Sequence, residues 1–269
     1  MSGRAARLRA QLGERDLAVL DSLAKLRLLT GKQIQRLHIA DGSPLTRARR
    51  TRSTLQRLTA LRLVTRLERR IGGIHAGSEG AVYGLTGLGQ AVLAIDGSDG
   101  RRHRTVWATK PAFQDHVLAI GELCVRLSEL SRDNTLELMA FDTEPACWRR
   151  FPGSGGQPIT LKPDAYVRLG IGDFEHRAFI ELDLSTESLP TVQRKCQRHV
   201  AYWQSGLEQQ RYGVFPKVWW LVPSPHRRDG IASVIGKLAH SAQALFTVAL
   251  HHEAPYLLTQ PPQAAETEA

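Results

Sequence analysis

KPDAYVRLGIGDFEHRAFIELDLSTES occupies residues 162–188, and its reading decides the rear half of the chain. Two apolar runs flank Gly170-Ile171-Gly172-Asp173, which has the composition of a turn. The stretch therefore belongs to two strands, 159–169 and 177–184, joined through 170–173. Side chains alternate along a strand. Phe179, Glu181, Asp183 and Ser185 then share one face, while Ile180, Leu182 and Leu184 share the other. Lys162, Asp164 and Tyr166 likewise lie on one face. If the two strands pair, Asp164, Glu181 and Asp183 meet at the end of a small sheet.

Three adjacent carboxylates repel unless a positive charge sits among them or one stays protonated. A hard divalent cation, Mg²⁺ or Mn²⁺, suits such an oxygen set and keeps open positions for water. It could activate that water against a phosphodiester. The plainer alternative is that the three acids are solvent-facing strand residues. The strongly apolar neighbours of Glu181 and Asp183 argue against it.

Around this stretch the pattern predicts a helix over 112–131, with Phe113, Val117, Ile120, Leu123, Cys124 and Leu127 as its apolar stripe. A strand follows at 135–142, then the two strands already described. A helix at 190–206, a strand at 217–223 (KVWWLVP) and a helix at 226–246 complete the rear half. Pro, Ala and acidic residues mark the end of the chain as a disordered tail, 257–269.

The front half has a different chemistry. Residues 1–110 hold 21 Lys and Arg against 8 Asp and Glu, or +13; the remainder holds 15 against 18, or −3, and the two sum to the net +10. So uneven a balance points the front half at a polyanion. A helix is expected over 14–28. Thr30-Gly31-Lys32-Gln33 is a capping box opening a second helix. Asp41-Gly42-Ser43-Pro44 breaks the chain, and Pro44 suits the first turn of a third helix running to about Leu61. On that third helix Leu45, Ala48, Leu55 and Leu58 form the inner side, and Thr46, Arg49, Arg50, Ser53 and Arg57 the outer. No acid occurs between Pro44 and Arg66. Guanidinium and hydroxyl groups without acids suit phosphates and base edges in a major groove. Strand-like runs at 63–71 and 81–86 enclose a glycine-rich tip, and a short helix spans Leu88 to Ile95. Three helices followed by a hairpin is the order of a winged helix-turn-helix. Arg66, Arg69 and Arg70 on the first wing strand extend the DNA-binding set.

The rear motifs resemble the PD-(D/E)xK nuclease superfamily, with Pro163-Asp164 as its PD and Glu181-Leu182-Asp183 in the (D/E)xK place. The resemblance implies a restriction-endonuclease-like αβββαβ domain in which Asp164, Glu181 and Asp183 hold the metal. Asp183 stands where that superfamily has lysine. Under the resemblance Lys195 on the following helix is one candidate for a migrated substitute of the catalytic lysine, and Lys162 a second. Over about 20–225 the chain also resembles the replication-relaxation family of actinobacterial plasmids and integrative elements. That resemblance rests on LTGKQIQRLH, RRTRSTLQRLTALRLVTRLER, VYGLTGLG, KPDAYV, FIELDLSTES and RKCQRHVAYW.

The expected architecture is thus a two-domain α+β and α/β chain: a winged helix at 1–96, a linker at 97–110 and a nuclease-like domain at 111–256. Two functions follow. One is a sequence-selective DNA-binding protein of a mobile element that also nicks DNA with Mg²⁺ or Mn²⁺. The other is a non-catalytic replication or transcription factor whose rear domain serves dimerisation or partner binding. Double-stranded DNA is the expected partner, with a homodimer allowed and no small-molecule cofactor. No apolar run is long enough to span a membrane, and three scattered cysteines without a CxxC fit a reducing cytoplasm. His116 reads as a core histidine. Glu122 lies far from its helix stripe. His251-His252-Glu253 lacks helical metal-ligand spacing, and Trp219-Trp220 reads as part of a buried strand.

Overall fold

The computed structural model describes residues 2–67, 81–96 and 111–260. The expected linker at 97–110, most of the wing with Arg69 and Arg70, and the last nine residues of the expected tail lie outside them. The chain divides into two compact units, Met1–Val125 and Arg126–Ala269. It is a mixture of helices and sheets, as the α+β expectation required. The division falls inside a helix rather than in the expected linker.

In the first unit, α1 (Ser2–Arg9) and α2 (Glu14–Leu26) precede a short strand, β1 (Leu28–Thr30). Next come α3 (Gly31–His38), α4 (Pro44–Ala60), β2 (Val64–Arg66), β3 (Val82–Leu85) and α5 (Gly87–Leu93), the last ending in a 3₁₀ turn, Ala94–Asp96. The helix α6 (Pro111–Arg132) begins in this unit. The first helix was expected to run to residue 28. Instead Arg27 takes φ 67°, the chain leaves the helix, and Leu28 to Thr30 pair with β3. Strand order is β1-β3-β2, antiparallel throughout. The capping box forms as expected: Gln33 N donates to Thr30 Oγ1 at 3.1 Å and Thr30 N donates to Gln33 Oε1 at 2.9 Å. Leu20, Leu23, Ile34, Leu55, Leu58 and Leu63 are buried between these elements. Each such side chain contributes about 1.5–3 kcal/mol on leaving water. At Gly89 a Cβ would lie 2.4 Å from the Leu63 carbonyl oxygen, so only glycine lets α5 approach the residue that leads into β2 this closely.

In the second unit the elements after α6 are β4 (Glu137–Thr143), β5 (Arg149–Pro152), β6 (Pro158–Leu161), β7 (Ala165–Ile171) and β8 (Phe174–Leu182). Then come α7 (Leu189–Gln204), α8 (Leu207–Tyr212), β9 (Lys217–Val222), α9 (Pro225–Ile235), α10 (His240–Gln243), β10 (Phe246–Leu250) and α11 (Ala254–Leu257). The main sheet has the order β10-β9-β8-β7-β4. β4, β7 and β8 run antiparallel, and β8, β9 and β10 run parallel. The turn at 170–173 closes the β7–β8 hairpin as expected, with Ile171 opposite Phe174.

Three expectations change. The strand 159–169 is two strands, because Pro163 offers no N–H to a ladder; β6 pairs with β5, and only β7 joins the main sheet. The helix expected to reach residue 246 stops at Ile235, and Phe246-Thr-Val-Ala-Leu250 becomes a sheet-edge strand beside β9. The tail does not begin at residue 257, since Leu257 ends α11 and Leu258 is fully buried.

Parallel strands need crossovers, and α7 supplies the one between β8 and β9. Its inner residues Val192, Cys196 and Tyr202 pack with Phe179 of β8 and with Val218 and Trp220 of β9. Trp219 and Trp220 are both buried, and all three cysteines are buried outside any disulfide. Among the described residues no helix is long and apolar enough to cross a membrane.

Candidate functional site

The outer face of α4 is the first candidate. Ser43 caps the helix by accepting from Thr46 N at 3.3 Å, and its hydroxyl also lies 3.0 Å from Thr46 Oγ1. The Thr46 hydroxyl is therefore engaged at the cap. Thr51, Leu55 and Leu58 form the buried stripe. Leu45, expected on the inner side, is 82% exposed. The start of α4, Pro44 and Leu45, is exposed while the stripe further along is buried, so helical spacing alone misplaces Leu45.

Arg49, Arg50 and Ser53 are exposed, as is Arg66 at the end of β2. Among the described residues Arg49 has no ion-pair partner, whereas Arg50 Nη1 lies 2.5 Å from Asp41 Oδ2. Arg57 is committed differently. It donates to Asp16, which is only 4% exposed and also accepts from Gly13 N at 3.2 Å. That pair fastens α4 to the start of α2, so Arg57 positions the face more than it extends it. Arg15, at the start of α2, adds a cation to the same face that periodicity along α4 could not supply.

The acidic constellation is the second candidate. Glu181 lies near the end of β8 and is 1% exposed. Its Oε2 is 3.1 Å from Lys195 Nζ, and its Oε1 is 2.8 Å from His199 Nε2. Lys195 also donates to Glu187 Oε1 at 2.7 Å. Both contacts to Glu181 come from α7, where Lys195 and His199 are four residues apart and so share one side. Because a carboxylate only accepts, His199 carries its proton on Nε2. Among the described residues its buried Nδ1 has no partner, and its ring lies against Phe179.

Asp164 precedes β7 and acts on the backbone. Its Oδ2 accepts from Leu182 N at 2.7 Å, and its own N donates to the Ile180 carbonyl at 2.9 Å. Both bonds continue the β7–β8 ladder past Ala165. Asp183, just after β8, is 1% exposed and paired with Arg227 of α9. Arg227 Nη2 also donates to the Glu187 carbonyl at 2.6 Å.

Burial alone would lower the Lys195 ammonium, but the charges of Glu181 and Asp164 and the bond to Glu187 outweigh it, and its pKa lies well above the ordinary lysine value. Lys195 thus stays a cation and cannot take a proton from water. Lys195 thus stands beside Glu181, whereas Asp183 turns to Arg227. Among the described residues no group of three or more His, Cys, Asp and Glu side chains is placed to hold a metal ion. A divalent cation does not fit this arrangement: both Glu181 oxygens face donors, and Asp183 is neutralised by a guanidinium. Lys162 lies over the Trp148 ring, 4.5 Å from its centroid, and takes no part.

The remaining candidates are structural. Glu122 pairs with Arg36 at 2.6 Å and accepts from Gln33 Nε2 at 3.2 Å. His116 is half-buried on α6. His251 Nε2 lies 2.8 Å from the Leu221 carbonyl oxygen, while His252 and Glu253 are exposed side chains 3.8 Å apart. Two partners in the acidic constellation escaped the sequence reading. His199 had a signal, its four-residue spacing from Lys195; Arg227, 44 residues from Asp183, had none.

A sequence profile of the replication-relaxation family matches residues 20–218. No curated protein and no solved structure matches the chain.

Proposed function

The chain belongs to the replication-relaxation family, and from that premise we propose that it is a DNA-binding factor of plasmid or mobile-element replication that does not itself cut DNA. In this reading the first unit is a winged helix-turn-helix whose α4 enters the major groove. The observation that carries it is the outer face of α4, where Arg49, Arg50 and Ser53 stand exposed over a buried stripe. The acid-free sequence of that helix and the net charge of +10 support it. The second unit is a restriction-endonuclease-like domain whose acids serve folding or partner binding. Glu181 and Asp183, buried carboxylates each matched to a partly buried cation, support that assignment.

A hydrolytic reading draws on one feature, a lysine 3.1 Å from Glu181 and within the field of Asp164. One experiment separates the two. The protein is titrated into a labelled random-sequence duplex over a range of salt, and incubated with supercoiled plasmid with and without Mn²⁺. Log affinity is expected to fall steeply with log salt, by about 0.9 for each phosphate contact, and Arg49→Ala to reduce that slope by about one contact. Plasmid is expected to stay supercoiled. Open-circle product that requires Mn²⁺ and is lost in Glu181→Ala would replace this proposal with the hydrolytic one.

A further inference from the structure

Arg15 of α2 and Arg49, Arg50, Ser53 and Thr54 of α4 line one concavity in the first unit, and among the described residues the sole acid in its lining is Asp41. Arg50 Nη1 lies 2.5 Å from Asp41 Oδ2, and Arg15 Nη2 lies 3.9 Å from Asp41 Oδ1. The carboxylate is presented from the bend between α3 and α4, where Gly42 takes φ +92°. Arg47 Nη1 reaches back to the neighbouring Ala40 carbonyl at 3.4 Å, tying this bend to α4. Asp41 remains 65% exposed, so an incoming anion can reach the same guanidinium groups.

We propose that this concavity is a seat for a backbone phosphate of duplex DNA and that Asp41 occupies the phosphate position in the free protein. The inference rests on the DNA-binding reading and adds to it two residues outside α4: Arg15 as a phosphate contact and Asp41 as its competitor. Guanidinium groups bind carboxylate and phosphate through the same planar fork, so one anion can replace the other without rebuilding the site. Duplex binding must displace Asp41 from Arg50, which keeps affinity below what the arginines alone would give. The Arg50 guanidinium also holds the Asp41 carboxyl below the usual carboxylate range, so the competitor is charged near neutral pH.

The test measures binding of a labelled random-sequence duplex by fluorescence anisotropy at low salt. It compares wild type, Asp41→Asn, Arg15→Gln, the double variant, and Asp21→Asn as a charge-matched control on α2. Thermal melts confirm that each is folded. Asp41→Asn is expected to bind about three- to tenfold tighter than wild type, and Asp21→Asn less than about twofold tighter. Arg15→Gln is expected to bind more weakly, and in that background Asp41→Asn to gain clearly less than it does alone. Equal gains for Asp41→Asn and Asp21→Asn would overturn the competitor role while leaving DNA binding intact. Wild-type protein that ignores duplex at low salt would overturn the DNA-binding reading and this site together.

Discussion

Glu181 Oε1 lies 2.8 Å from His199 Nε2, and neither side chain reaches solvent to any useful extent, at 1% and 0% exposure. The second Glu181 oxygen faces Lys195. One carboxylate at the end of β8 therefore organises two side chains of α7, the helix that crosses from β8 to β9. A buried carboxylate is tolerated where its charge is matched and its oxygens accept hydrogen bonds. Here both conditions are met from a single helix, so the acid fixes where α7 lies on the sheet.

Removal of Glu181 should accordingly be a stability event. Glu181→Ala removes one of the two carboxylates hydrogen-bonded to Lys195, leaving Glu187 and the field of Asp164, and strips His199 of its acceptor. A loss of about 3–5 kcal/mol is expected by urea unfolding, the range for breaking one side of a buried pair. Glu181→Gln retains the shape and one acceptor and should lose less. A Glu181→Ala protein as stable as wild type would contradict the structural role.

Stability should also depend on pH through His176. Burial pushes its pKa below 6.5; the Leu258 carbonyl opposes that shift and the Lys217 ammonium adds to it. The unfolded chain therefore binds a proton more readily than the folded one below pH 6.5. The contribution is fully present above that value and is lost as pH falls toward the depressed folded-state value. Urea unfolding from about pH 5 to about pH 7.5 should show stability rising with pH in wild type and a shallower rise in His176→Gln. Identical slopes would remove His176 from the account.

Arg49 and Arg57 share the outer face of α4 yet should answer different assays. Arg57→Ala abandons the buried Asp16 carboxylate and should lower stability by about 1.5–3 kcal/mol. Arg49→Ala should leave the denaturation midpoint unchanged and weaken duplex binding. Exchanged behaviour would mean that the Asp16 contact does not hold α4 in place.

Local signals in the sequence mapped directly to structure. The Thr30–Gln33 box and Pro44 open α3 and α4 where expected, because capping involves groups only three residues apart. The 170–173 turn follows from its glycines, and the shared inner face of Phe179 and Glu181 from strand alternation. What needed the tertiary structure was pairing between distant segments. A helix reads on as far as residue 246 until β9 offers Phe246–Leu250 a ladder, and Asp183 reads as a metal ligand until α9 brings Arg227 to it. Asp41 belonged to a turn signal and gained a further role only when α2 and α4 placed two arginines beside it.

Leu45 gives a sharp test of how α4 is seated. Helical spacing groups it with Leu55 and Leu58, and on that basis truncating any of the three should be costly. The structure separates them: Leu58 is fully buried, and Leu45 is 82% exposed on the first turn. Leu58→Ala removes packed methyl groups from the core and should cost about 2–5 kcal/mol. Leu45→Ala removes surface that water already covers and should change stability by no more than about 0.5 kcal/mol. Urea midpoints of the two variants measure the difference. A costly Leu45→Ala would mean that the first turn of α4 is covered in solution.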